Sequence, residues 1–156
     1  MKMMIAMVMA TACNAFAVDI GLPISNFYDQ QYEGTGTWTS NTGETGQYES
    51  RISFSNNVMT FNNTSDGETS ELSINFQFTA PGQFDIYYDA NLIGAGSCSD
   101  ILPLTCQLNY TFGNLFIISE TLQFLSGIDG LVRSGSGRLL GQYLSWKENL
   151  KATPAL

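Results

Sequence analysis

The sequence predicts an all-β fold, and three observations lead to this prediction. Short segments in which apolar and polar residues alternate recur along the chain, which places the apolar side chains of each segment on one face of a strand. Glycine, asparagine and proline separate these segments, as turn residues do. No segment keeps the period of about 3.6 residues that an amphipathic helix requires. We therefore expect an antiparallel up-and-down β-barrel of roughly 8–10 strands, with a β-sandwich as the alternative.

The clearest strand covers residues 71–79. Leu72, Ile74, Phe76 and Phe78 project to one side of it, and polar side chains project to the other. This alternation indicates a sheet with one dry face and one wet face, as in an antiparallel sandwich or barrel.

The remaining segments follow the same pattern in chain order, with turns between them. Asn41–Gly43 and Asn56–Asn57 have hairpin chemistry, and Pro81–Gly82 presets a tight turn. A glycine-rich stretch, 134–137, is expected to lead into the last strand. The predicted strands are 34–39, 48–55, 58–61, 71–79, 84–89, 92–97, 107–112, 115–124, 131–133 and 138–146. This hairpin-by-hairpin succession favours a barrel, because a Greek key would require longer crossovers.

The first residues resemble an export signal. Lys2 provides a positive start, residues 3–12 are apolar, and Ala15–Ala17 forms an A-x-A cleavage site. We expect cleavage after Ala17, with an alternative in which Cys13 is the lipid-bearing first residue of a lipoprotein. The apolar stretch is shorter than the about 20 residues of a transmembrane helix, and no later segment is long enough.

The domain organisation follows from this boundary. We expect a signal peptide at 1–17, an N-terminal arm at 18–32, one barrel domain at 33–150 and a flexible tail at 151–156. The chain carries 14 acidic and 6 basic residues, with a net charge of −8. Such a charge repels phosphate backbones and anionic lipids, so we expect neither nucleic acid nor electrostatic membrane docking.

Two cysteines remain after removal of the predicted signal. Cys98 and Cys106 lie close in sequence, and in an oxidising compartment we expect them to form a structural disulfide. A redox-active pair is disfavoured because the chain lacks C-x-x-C spacing and any nearby group that would lower the pKa of a thiol.

The composition excludes several kinds of chemistry. The chain contains no histidine, which rules out Ser-His-Asp triads, His-ligated zinc and His-based acid–base catalysis. No phosphate-binding loop motif occurs in a strand-to-helix context. Most acidic residues lie in turns or at outward positions. We therefore expect no catalytic residues, no metal site and no cofactor.

One carboxylate departs from this pattern. Glu120 has the same phase as Ile118 and Leu122, and a buried carboxylate must find a partner or take up a proton. Arg133, on the adjacent predicted strand, is a candidate ion-pair partner. A strand bulge that returns Glu120 to water is the alternative interpretation. The candidate pocket residues are Glu120, Arg133, Tyr110, Phe76, Phe78 and Trp146.

Gly36-Thr37-Trp38 on the first strand resembles the calycins, the group that contains the lipocalins and the avidin-like proteins. The resemblance implies that Trp38 closes the floor of a barrel and that a basic residue, Lys147 or Arg138, packs over it. A lipocalin also carries a helix after its barrel, for which residues 147–156 leave little room. Residues 33–150 are similar overall to small exported bacterial barrels with a short disulfide.

The function predicted from these features is non-enzymatic. We expect an exported barrel that binds a small apolar or amphipathic molecule in its interior, unless side chains fill that interior completely. The alternative comes from a resemblance to periplasmic inhibitors of secreted metalloproteinases, which insert an N-terminal arm into the protease. Residues 18–32 would be that arm, and a protein would then be the partner.

Overall fold

Ten antiparallel strands pair in chain order, and β1 also pairs with β10, which closes the sheet into a barrel. The structure is a computed structural model that describes residues 24–99, 101–113 and 115–154. The strands are β1 (Gln30–Ser40), β2 (Thr45–Ser55), β3 (Val58–Ser65), β4 (Glu68–Ala80), β5 (Gln83–Tyr88), β6 (Asn91–Cys98), β7 (Thr105–Phe112), β8 (Phe116–Phe124), β9 (Gly130–Leu139) and β10 (Gln142–Thr153).

This architecture confirms the predicted up-and-down barrel and excludes the sandwich, because β1–β10 pairing leaves no open sheet edge. A 3₁₀ turn at Ser126–Ile128 is the one helical element among the described residues. Within that part of the chain, no helix has the length and apolar character needed to cross a bilayer.

Three predicted boundaries were wrong. β1 begins at Gln30, inside the expected arm, and β10 continues to Thr153, inside the expected tail. These two ends pair with each other, with Gln31 opposite Thr153. The backbone N–H and C=O groups at both ends therefore form hydrogen bonds within the sheet. Residues 134–137 lie within β9, and the turn before the last strand falls at 140–141, inside the predicted strand of 138–146. The predicted signal peptide with Cys13 and Ala17, together with residues 18–23 and 155–156, lies outside the described residues.

The two ends of the barrel differ. We call the end where β1 begins the packed end and the end where β1 finishes the open end. Phe27, just before β1, is buried at the packed end, where its ring lies 4.8 Å from that of Phe76 and 5.6 Å from that of Phe78. Aromatic rings at such distances fill the space that a closed barrel leaves inside.

Buried aliphatic side chains pack together with these rings. They are Ile52, Met59, Ile74, Ile86, Leu108, Leu122, Leu131 and Leu150. These side chains and the aromatic rings of the packed end belong to one continuous core. The core fills the barrel from the packed end, and the internal space lies towards the open end.

The disulfide between Cys98 and Cys106 is present, as predicted. The two residues are directly paired on β6 and β7, with their Cα atoms 3.9 Å apart. The bond lies at the packed end, where β6 ends and β7 begins. It therefore links the ends of two strands on the side of the barrel away from the internal space.

Candidate binding cavity

A cavity of about 700 Å³ opens at the open end of the barrel. The wall of the cavity is formed mainly by the inward faces of β1–β4 and β7–β10. The surface of this wall is largely apolar. Its lining residues include Trp38, Tyr48, Phe61, Leu72, Tyr110, Phe116, Ile118, Arg133, Leu144 and Trp146. A volume of this size is in the range of small-molecule sites.

Strand glycines make room for the aromatic rings of the wall. A Cβ atom added to Gly36 would come closer than 3.0 Å to the ring of Tyr48, and one added to Gly46 would come as close to Trp38. Gly135 stands in the same relation to Trp146. Each ring therefore occupies space next to a neighbouring strand that a side chain larger than glycine would fill.

Trp38 and Trp146 are directly paired on β1 and β10, and both line the cavity. The calycin resemblance implied that Trp38 closes the barrel floor, but Trp38 lies near the open end. The reason is that β1 starts at Gln30, so Trp38 is close to its far end, and Phe27 fills the opposite end.

The basic residue expected over that tryptophan is also different. Lys147 follows Trp146 on β10 and is exposed, because successive strand residues point to opposite faces. The guanidinium of Arg138 lies 5.3 Å from the centre of the exposed Tyr143 ring. Instead, the guanidinium of Arg133 lies 5.5 Å from the ring centre of Trp146 and 4.2 Å from that of Phe61.

The floor of the cavity is a buried polar network centred on Arg133. Its Nε lies 2.6 Å from Oε2 of Glu120, and its Nη1 lies 2.8 Å from Oε1 of Glu148. Tyr110 donates its hydroxyl hydrogen to Oε1 of Glu120 at 2.8 Å, and Tyr48 donates to Oε1 of Glu148 at 2.8 Å. One cation thus bridges two carboxylates, and each carboxylate also accepts a hydrogen bond from a phenol.

Burial sets the electrostatics of this network. Both glutamate side chains are 0% exposed, and that of Arg133 is 9% exposed. Desolvation acts to lower the pKa of Arg133, but the two carboxylates raise it, and the net pKa lies above its ordinary value. Desolvation, followed by the nearby carboxylates, raises the pKa of both Tyr48 and Tyr110. Both phenols therefore remain protonated donors at neutral pH.

The structure brings together some of the predicted pocket residues. Tyr110, Arg133 and Trp146 line the cavity, and Glu120 lies directly behind the lining. Phe76 and Phe78 do not take part, because they lie nearer the packed end of β4, where they pack around Phe27.

Two members of the network are absent from the predicted pocket. Glu148 has the same phase as Trp146, but it lies beyond residue 146, where the predicted last strand ends. Tyr48 has the phase of the buried residues of β2, but nothing in the local sequence links it to a carboxylate. Extending the alternation by one more pair of residues would have identified Glu148.

Comparison with known proteins shows the fold alone. No protein-family model matches this chain. No curated protein sequence matches it either. A solved structure described as the crystal structure of Rv2717c from M. tuberculosis is similar with a TM-score of 0.56 and 13% sequence identity, over 91% of this chain and 99% of that chain. The class of protein that fold and site define is a closed ten-stranded β-barrel with an internal cavity, and membership of the calycins stays a prediction.

Proposed function

We propose that this protein binds a small amphipathic molecule in the cavity at the open end of its barrel. The observation that carries the proposal is the combination of an open, largely apolar cavity of about 700 Å³ with a buried polar network at its floor. Apolar burial would provide most of the binding free energy, and the floor would orient the head group.

The aromatic wall supports this function. Five aromatic residues line the cavity, and each presents a large apolar surface. They are Trp38, Tyr48, Phe61, Phe116 and Trp146. Filling a barrel for stability alone does not require open space at one end, since the other end of the same barrel is packed solid with aromatic rings. The contrast between the two ends therefore favours a binding role for the open one.

The alternative role as a protease inhibitor draws less support from the described residues. The carbonyl oxygen of Ile24 accepts a hydrogen bond from the backbone of Gly82, and the backbone N–H of Phe27 donates to Oδ1 of Asn57 at 2.8 Å. These contacts hold residues 24–29 against the packed end. An inserted arm would have to come from residues 18–23, for which inhibition stays a prediction.

Binding can be measured directly because both tryptophans of the chain line the cavity. We would titrate the purified protein with three ten-carbon probes: 1-decanol, decylamine and decanoate. We expect at least one of them to change the tryptophan emission saturably with one-to-one stoichiometry. Failure of all three to bind, by fluorescence and by native mass spectrometry, would contradict the proposed function.

A matched pair of variants locates the site. Ser70 shares the inward phase of β4 and lines the cavity, whereas Ser73 is exposed on the outer face of the same strand. Ser70→Phe should fill part of the cavity and weaken probe binding at least about tenfold, which corresponds to about 1.4 kcal/mol. Ser73→Phe introduces the same side chain outside the barrel and should leave binding unchanged. Equal effects of the two substitutions would place the site elsewhere.

A further inference from the structure

We infer that the cavity selects amphipathic molecules with a neutral head group that both donates and accepts hydrogen bonds, such as an alcohol or an amide, and discriminates against carboxylates. This inference rests on the proposed function and specifies the ligand class of that same cavity. It follows from how the polar atoms of the floor are already paired.

An arginine at the floor of an apolar cavity would ordinarily attract an anionic head group. Here the side chain of Arg133 is already shared between Glu120 and Glu148, through two different nitrogen atoms. The three side chains together carry one formal negative charge when both carboxylates are ionised. A ligand carboxylate would add a second negative charge in a desolvated site without a free cation to compensate it.

The hydrogen-bond inventory of the floor leads to the same conclusion. The hydroxyl hydrogens of Tyr48 and Tyr110 are both used on the glutamates, so the phenol oxygens have only accepting capacity left. Donors remain as well, because Nε1 of Trp146 has no partner among the described residues and the two hydrogen bonds of Arg133 to the glutamates use two of its five N–H groups. The floor therefore offers both donors and acceptors, and a head group that donates and accepts satisfies it better than a carboxylate, which only accepts.

A cationic head group is disfavoured for a geometric reason. Arg133 lines the cavity itself, whereas both glutamates are fully buried and are absent from the lining. A ligand ammonium reaching the floor would therefore meet the guanidinium before either of these carboxylates. Glu68 and Glu71 also line the cavity, but both are exposed and lie where β4 begins at the open end, so they act on the mouth and not on the floor. At the floor, a neutral head group avoids both the repulsion that a cation meets and the surplus of negative charge that an anion adds.

The three ten-carbon probes test this directly, because they bury the same apolar chain and differ only in the head group. At pH 7.5, decanoate is anionic and decylamine is cationic. We expect 1-decanol to bind at least about tenfold more tightly than either. Decanoate or decylamine binding as tightly as 1-decanol would overturn the inference while leaving the proposed function intact, whereas no binding by any probe would contradict the proposed function itself.

A charge-neutralising variant gives a second test. Glu148→Gln keeps the shape of the side chain and an oxygen that can accept the hydrogen bonds of Tyr48 and Arg133. It removes one negative charge from the floor. We expect the ratio of the decanoate affinity to the 1-decanol affinity to be at least about tenfold higher in this variant than in the wild type. Glu49→Gln, on an exposed outward position of β2, makes the same charge change outside the barrel and should alter neither affinity. An unchanged ratio in a folded Glu148→Gln protein would contradict the inference, and the wild-type ranking of the probes remains decisive if that variant does not fold.

Discussion

Arg133 and Glu148 are directly opposite each other on β9 and β10, and their side chains meet inside the barrel with Nη1 2.8 Å from Oε1. Glu120 reaches the same guanidinium from β8. A single cation therefore joins three consecutive strands beneath the cavity.

Replacing Arg133 should destabilise the barrel strongly. Arg133→Met leaves two buried carboxylates without their cation, and removal of one partner from a buried ion network costs about 3–5 kcal/mol. The free energy of unfolding from urea denaturation measures the effect. Arg51→Met is the control, because its ion pair with Glu33 is exposed and such pairs contribute about 0–1 kcal/mol. Similar losses in the two variants would show that the network contributes little.

Stability should fall in alkaline solution because of buried tyrosines. The pKa of Tyr110 is raised in the folded protein by burial and then by Glu120, and that of Tyr32 by burial and then by Asp129. The unfolded chain loses these protons near pH 10, whereas the folded protein keeps them. The stabilisation is therefore complete below about pH 10 and decreases above it, by up to about 1.4 kcal/mol per pH unit for each tyrosine.

The variant Tyr110→Phe isolates one of these contributions. It should lose about 1.5–3 kcal/mol at neutral pH, since the hydrogen bond to the buried Glu120 carboxylate is removed. Above about pH 10 its stability should decline less steeply than that of the wild type. Urea denaturation at pH 8 and pH 11 gives both quantities. Parallel declines of the two proteins would mean that Tyr110 ionises alike in the folded and unfolded states.

Gly36 should be coupled to Tyr48. A methyl group on Gly36 would overlap the ring of Tyr48 and displace its hydroxyl from Glu148, so Gly36→Ala should cost about 1–3 kcal/mol. The same substitution in a Tyr48→Ala background should cost less, because the overlapping ring is absent. A double-mutant cycle on the free energy of unfolding measures the difference. Additive effects would rule out the proposed steric relation.

Phe27 should be essential to the packed end. Its ring is buried among those of Phe54, Phe76, Phe84 and other aromatic residues, although it precedes the first strand. Phe27→Ala should therefore cost about 3–5 kcal/mol by chemical denaturation. Ser25→Ala alters an exposed residue of the same segment and should change stability by about 0.5 kcal/mol or less. A negligible loss for Phe27→Ala would mean that this segment is not part of the core.

The candidate site was predictable in part. The phase of Glu120 and the adjacency of Arg133 follow from alternation and hairpin order, which are local properties of the chain. The involvement of Tyr48 and Glu148 does not, because the hydroxyl of Tyr48 contacts a carboxylate 100 residues further along the chain. The inward phase of Phe76 and Phe78 predicts that they line the pocket, whereas both pack near the opposite end. Phase, however, does not specify the height of a residue within a barrel.

The sequence by itself determined the all-β class, the alternation of inward and outward side chains along most strands, and the disulfide, because these depend on a two-residue repeat and on short sequence separations. It did not determine where every strand ends, as the turn at 140–141 within a predicted strand shows. Only the tertiary structure decided that β1 pairs with β10, that Phe27 fills one end and that a cavity remains at the other. Closure brings together residues more than 100 positions apart, such as Gln31 and Thr153. No local pattern specifies which inward side chains then share the same level of the barrel.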